Sequence, residues 1–148
     1  MGAMAVEDWG TWFAASGLLR GMLPPGFPKI ICLCGSTRFY KEFQQTNYKE
    51  TMAGNIVLSV GFYPHAHEQA HGEKHGCTSE QKVALDELHL RKIDLADEVL
   101  VLNVGGYIGE STGREIAYAK WLGKKISYLE PGSVERGECK EGNVVTRN

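Results

Sequence analysis

The sequence predicts a three-layer α/β domain built on a parallel sheet of four to five strands. Two observations carry this. From Lys29 onward, short continuous apolar runs alternate with longer stretches of helical spacing. Those runs are apolar at successive positions, as in strands buried on both faces, and helices between such strands imply parallel crossovers. With 148 residues and 43% hydrophobic content, the chain supplies one domain's worth of core.

The elements follow in order. Residues 1–28 form an N-terminal extension in which Trp9, Trp12, Phe13, Leu18 and Leu19 predict a short helix, stopped by Pro24-Pro25-Gly26. Ile30-Ile31-Cys32-Leu33-Cys34 is the first strand, ended by Gly35. Residues 37–53 read as a helix carrying Phe39, Tyr40 and Phe43, and 55–60 as the second strand. Residues 61–78 form a loop rich in His and Gly. A helix over 79–97 places Ala84, Leu88 and Leu95 on one stripe, and the apolar run 98–104 is the third strand. A helix over 112–122 stops at Gly123, and 125–129 is the fourth strand. The tail 131–148 offers a fifth at 142–147. In such sheets ligands sit at the carboxyl ends of the strands, here residues 35–38, 61–67 and 105–115.

Composition excludes several function classes. The net charge of −2 provides no basic field for a nucleic-acid polymer. No apolar run approaches the roughly 20 residues that cross a bilayer. The N-terminus has no basic start followed by an apolar core, so a soluble cytoplasmic protein is expected. Of the four cysteines, Cys32 and Cys34 lie two apart on one strand, which points both thiols to the same face as buried free thiols.

Four constellations can carry chemistry. Gly35-Ser36-Thr37-Arg38 follows the first strand and offers a tight turn, two hydroxyls, a helix N-terminus and a guanidinium. This suits an anion, and equally an N-cap beside a surface arginine. His67-Glu68-Gln69-Ala70-His71 matches the zinc pattern His-Glu-x-x-His, with His65, His75 and Cys77 nearby. That pattern needs a helix, and Pro64, Gly72 and Gly76 leave little room for one, so a polar lid is the default reading. Gly105-Gly106 through Gly113-Arg114-Glu115 is a glycine-rich strand exit. It puts Glu115 in the first turn of the next helix, as a nucleophile held ionised by the helix dipole or as the partner of Thr112 in a capping box. Asp86, His89 and Ile93 share a helix face, where Asp86 and His89 can orient or protonate a substrate or form a surface pair.

In this order and spacing, Cys-Gly-Ser-Thr-Arg after a strand, Asp94-Leu95-Ala96-Asp97 before a Val-rich strand, and Gly113-Arg114-Glu115-Ile116-Ala117-Tyr118-Ala119 after a glycine-rich loop resemble the nucleoside 2-deoxyribosyltransferase superfamily. The Gly-Lys-Lys-Ile run at 123–126 adds similarity to its 2'-deoxynucleoside 5'-phosphate N-hydrolase branch. The resemblance spans residues 29–130. It implies a flavodoxin/Rossmann-like fold, a homodimer or higher homo-oligomer, and N-glycosidic cleavage of a nucleotide or nucleoside with no metal or organic cofactor. It also implies Glu115 as nucleophile, Gly35, Ser36, Thr37 and Arg38 at the 5' side, and Ser111 and Gly113 against phosphate and sugar. His65 is a further candidate for substrate contact. Where many members carry an acid, this sequence has His89, with Asp86 one turn earlier. Where a serine often stands six residues before the nucleophile, it has Gly109. The other readings are transfer between bases, a silent nucleotide-binding module, and a metal-dependent hydrolase using His65, His67 and His71.

Overall fold

The computed structural model describes Gly17, residues 20–61 and residues 78–134. Its core is an all-parallel sheet of four strands: β1 (Ile30–Cys34), β2 (Ile56–Leu58), β3 (Glu98–Val101) and β4 (Lys125–Tyr128), in the order β2-β1-β3-β4. Between them run α1 (Tyr40–Met52), α2 (Ser79–Leu95) and α3 (Glu110–Trp121), and a single turn, α4 (Pro131–Val134), closes the described chain. This is the α/β sandwich of the flavodoxin/Rossmann-like class. Of the expected N-terminal helix only Gly17 and residues 20–22 are described, and they are helical; residues 62–77 of the His-rich loop and the 142–147 strand lie outside the described residues.

Strand alternation decides which helix meets which face. In β1, Ile30, Cys32 and Cys34 join Val99 and Val101 of β3 under Ile93 of α2 and Ile116 and Ala119 of α3. Ile31 and Leu33 point the other way, to Phe43 of α1 and to Leu102 beyond β3. Register pairs Cys32 with Val99 and Cys34 with Val101, so the two thiols share the α2–α3 face. Burial of these side chains is the main favourable term, at about 1.5–3 kcal/mol for each large one. Leu23 and Phe27 of the extension pack on the same cluster, so its end is docked onto the domain.

Several boundaries move, for physical reasons. Residues 37–53 divide into a 3-10 turn (Thr37–Phe39) and α1, because Phe39 leaves helical geometry (φ −87°, ψ 42°). The ladder of β3 ends at Val101, since β1 ends at Cys34. Beyond it Leu102 N–H still donates to the Cys34 carbonyl, and the chain then turns through Gly105 and Gly106 at positive φ. Asp97 falls outside α2, which ends at Leu95. Its carboxylate accepts from Ile30 N–H (2.8 Å) and meets Arg20 (2.9 Å), closing the amino end of the sheet. The start of α2 is held by a capping box in which Thr78 and Gln81 satisfy each other's backbone N–H.

At the start of β3, Glu98 accepts from Ser127 Oγ and from the ammonium groups of Lys29 and Lys125 (3.2 Å each). Burial opposes its ionisation, but these donors outweigh it and hold the carboxyl below its ordinary value. A depressed folded-state pKa contributes stability above the unfolded value that is lost as pH falls through the folded one. Glu98→Gln is therefore expected to lower stability near neutral pH by about 1–2 kcal/mol, most of it from the buried charged bond, because both lysines are substantially exposed. In denaturant melts the difference from wild type narrows as the pH falls below 4.5, the ordinary value of a glutamate.

Candidate functional site

The carboxyl end of β1 delivers Cys34 and then Gly35 between the helices. A Cβ at Gly35 would stand 3.1 Å from Leu102 Cβ and 3.2 Å from its carbonyl oxygen, so the close approach of the two strand exits itself requires glycine. Ser36 is the N-cap of the 3-10 turn, accepting from Arg38 N–H at 3.5 Å, and Thr37 is the first residue of that turn. Of the two readings of this loop, the cap is present. The Arg38 side chain leaves the turn and lies over the Tyr107 ring, 4.3 Å from its centroid, with Nη2 donating to the Tyr107 hydroxyl at 3.2 Å. Phe39 meets the same ring edge-on. Arg38 is thus held at the site's edge by an aromatic, and among the described residues no carboxylate neutralises it.

Helix α3 begins at Glu110 with Gly109 as its N-cap, two residues earlier than the sequence predicts. The difference removes the capping box: Glu115 lies in the second turn, where it cannot serve the N-cap N–H. Instead its side chain turns inward. Glu115 is 7% exposed and His89 is 4% exposed. Glu115 Oε2 stands 3.9 Å from His89 Nε2, and the same imidazole nitrogen lies 3.4 Å from Cys34 Sγ and 3.7 Å from Cys32 Sγ. Among the described residues, neither Glu115 Oε2 nor His89 Nδ1 has a hydrogen-bond partner.

Burial governs the charges here. It pushes the Glu115 carboxyl up to about 7, against the opposing pull of His89 and the Cys34 thiol. The expectation that the helix dipole keeps this carboxylate ionised is corrected: a second-turn position lies beyond the free N–H groups, and desolvation prevails. Burial also disfavours imidazolium at His89, but Cys32 and Glu115 beside it raise its affinity for a proton above the ordinary value. Of the two thiols, contact with Cys32 and then burial push Cys34 up, and Cys32 is the more acidic.

Asp86 and His89, one turn apart on α2, do different things. His89 faces the cluster. Asp86, with a 34% exposed side chain, accepts from Lys82 (2.7 Å), from Arg114 (3.3 Å) and from the Ser111 hydroxyl (3.4 Å). Ser111 stands four residues before Glu115 and Asp86 three before His89, so facing ridges of α2 and α3 place a polar rim beside a buried cluster. Gly113 lies in α3, and a Cβ added there would meet nothing within 4 Å. The structure therefore brings together Glu115, His89, Asp86 and Ser111, with Gly35, Ser36, Thr37 and Arg38 following Cys34 directly. His65 lies outside the described residues.

Sequence reasoning missed Cys32 and Cys34 as members of the cluster, although their two-residue spacing had set them on one face. It also missed Tyr107 as the support of Arg38. Lys82, four residues before Asp86, was legible as a helix pair. A groove of about 280 Å³ between Arg20, Asp97, Gly123 and Lys124 lies at the amino ends of β3 and β4, opposite to where sheets of this kind bind ligands.

Fold and site together define a parallel α/β protein with a buried carboxylate–imidazole–thiol cluster at the carboxyl end of its central strand. No protein-family model matches the chain, and no curated protein matches it. No helix among the described residues is long and apolar enough to cross a membrane.

Proposed function

We propose that the chain cleaves the N-glycosidic bond of a nucleoside 5'-monophosphate, or of the nucleoside, and releases the free base. The observation that carries this reading is Glu115: buried, unavailable to any cap, with one carboxylate oxygen unpartnered beside His89. A carboxylate kept at that cost has a task other than holding a helix. In the reaction its oxygen bonds to C1', the bond from C1' to the base nitrogen breaks, and that electron pair leaves with the base, which takes up a proton. Water then attacks C1' of the glycosyl-enzyme, and two inversions leave the configuration retained.

His89 is a positioning residue in this scheme, since it touches Glu115 from within the cluster. Asp86, at the exposed rim, is placed to orient the leaving base, which takes its proton from water. Ser111 and the open flank of Gly113 face the sugar, and Arg38 with Ser36 and Thr37 takes the phosphate. No cofactor enters the scheme. A homodimer, which the family resemblance implies, and a cytoplasmic setting are part of the proposal.

The test is incubation with a panel of nucleosides and 5'-monophosphates, with chromatography for free base. Release from a monophosphate supports the reading. A second base added in excess distinguishes transfer, by formation of the new nucleoside, from hydrolysis. Asp86 is already engaged by Lys82, Arg114 and Ser111, which favours a second reading, a nucleotide-binding module without turnover. Saturable binding with no base released from any panel member would establish that reading instead.

Gly113 provides a separate check. An alanine in an open helical position is expected to stabilise the fold by about 0.5–1 kcal/mol. If the sugar occupies that space, Gly113→Ala raises the melting temperature and weakens ligand binding together. A higher melting temperature with unchanged binding would remove Gly113 from the site.

A further inference from the structure

Glycoside cleavage needs one carboxylate of the buried cluster and gives no task to its two thiols. Cys32 and Cys34 are free. Positions two apart on a strand are separated by roughly 6.6 Å, too far for the Cβ spacing of about 3.8 Å that a disulfide requires. The thiols and the His89 imidazole nevertheless converge, with their ligand atoms all within 4.8 Å of one another. In a tetrahedral zinc shell an imidazole nitrogen and a thiolate sulfur stand ~3.6 Å apart. His89 Nε2 lies 3.4 Å from Cys34 Sγ and 3.7 Å from Cys32 Sγ. Beside this set, Glu115 Oε2 is buried, has no hydrogen-bond partner among the described residues, and stands 3.9 Å from that nitrogen.

We propose that Cys32, Cys34 and His89 form a three-ligand binding site for a thiophilic divalent cation of the zinc class, with Glu115 beside the site. Two sulfurs and one imidazole select zinc or cobalt over magnesium or calcium, which require shells of oxygen. All three ligands come from rigid elements, two from β1 and one from α2. The ion displaces the thiol protons. The bound ion lies against the Glu115 carboxylate that the glycosidase reading needs, so zinc is expected to halt base release and a chelator to restore it. That consequence rests on the proposed activity, whereas the binding site does not.

The experiment titrates the full-length, reduced, chelator-stripped protein with cobalt(II) and reads absorption. One equivalent is expected to produce both near-ultraviolet thiolate-to-metal charge-transfer bands and the visible bands of tetrahedral cobalt, with zinc abolishing both by displacement. Cys32→Ser/Cys34→Ser loses the charge-transfer bands. Cys77→Ser/Cys139→Ser keeps them, which separates this cluster from the chain's other cysteines. His89→Gln retains the charge-transfer bands and changes the visible ones. Absence of charge-transfer bands in the wild type, their persistence in the Cys32/Cys34 variant, or a spectrum unaltered by His89→Gln would overturn the proposal. None of these signals requires turnover, so a protein that releases no base but gives these spectra refutes the activity and leaves the metal site standing.

Discussion

Glu115→Gln is expected to lower base release by several orders of magnitude while leaving the fold and ligand binding in place. The amide keeps the shape of the carboxylate and most of its hydrogen-bonding capacity, but it cannot supply the anionic oxygen that bonds to C1'. The same change carries a stability signature of opposite sign. The Glu115 carboxyl is raised from 4.5 to about 7 in the folded protein, chiefly by burial. A group raised in this way contributes stability that is fully present below its unfolded value and lost as pH rises through its folded one. In chelator, wild type should therefore lose stability relative to Glu115→Gln between pH 4.5 and about 7, and remain the less stable protein above that range. The checks are turnover, ligand affinity and melting temperature across that range. A variant that is inactive and more stable at alkaline pH marks a residue kept for chemistry at the expense of the fold. Turnover within a few-fold of wild type would remove the nucleophile from the account.

Arg38→Ala is expected to separate the nucleotide from the nucleoside. The guanidinium stacks on Tyr107 and meets no carboxylate among the described residues, so its charge is available to an anion. A charged hydrogen bond to phosphate contributes about 1.5–3 kcal/mol, or roughly 10- to 150-fold in affinity for the monophosphate. Binding of the matching nucleoside should change little. Because the side chain is exposed, its removal leaves the core intact, and the melting temperature serves as control. Equal weakening of both ligands would show that this loop does not read the phosphate. In that case Tyr107 stacking would be the main role of Arg38.

How much of this was legible in the sequence differs by element. The sheet was, because Ile30 to Cys34 and the run from Glu98 can be buried only between two layers. Boundaries were not, because they depend on partners distant in sequence. The ladder of β3 stops where β1 has no more residues to offer, and Asp97 leaves α2 to accept from Ile30 N–H. Thr112 and Glu115 carry a capping-box spacing, yet Gly109 starts the helix, and the true box is Thr78 with Gln81. A local pattern was overridden there by how α3 packs on β1 and β3. The pairing of Asp86 with His89 was read from helical spacing alone. Spacing places two residues on a face but does not reveal that one faces a rim of Lys82 and Arg114 while the other faces two thiols. The cluster of Cys32, Cys34, His89 and Glu115 joins three segments of the chain, and only the crossover topology brings them within reach.

The most direct measurement is to stop the reaction in mid-turnover with acid, digest the protein and weigh the peptide that contains Glu115. On the monophosphate that the panel identifies, the account predicts that a fraction of this peptide carries the mass of the sugar 5'-phosphate. The same peptide is unmodified when substrate is omitted, and in Glu115→Gln. Base released steadily while the peptide stays unmodified, or a sugar found on another residue, would contradict the claim that Glu115 is the nucleophile.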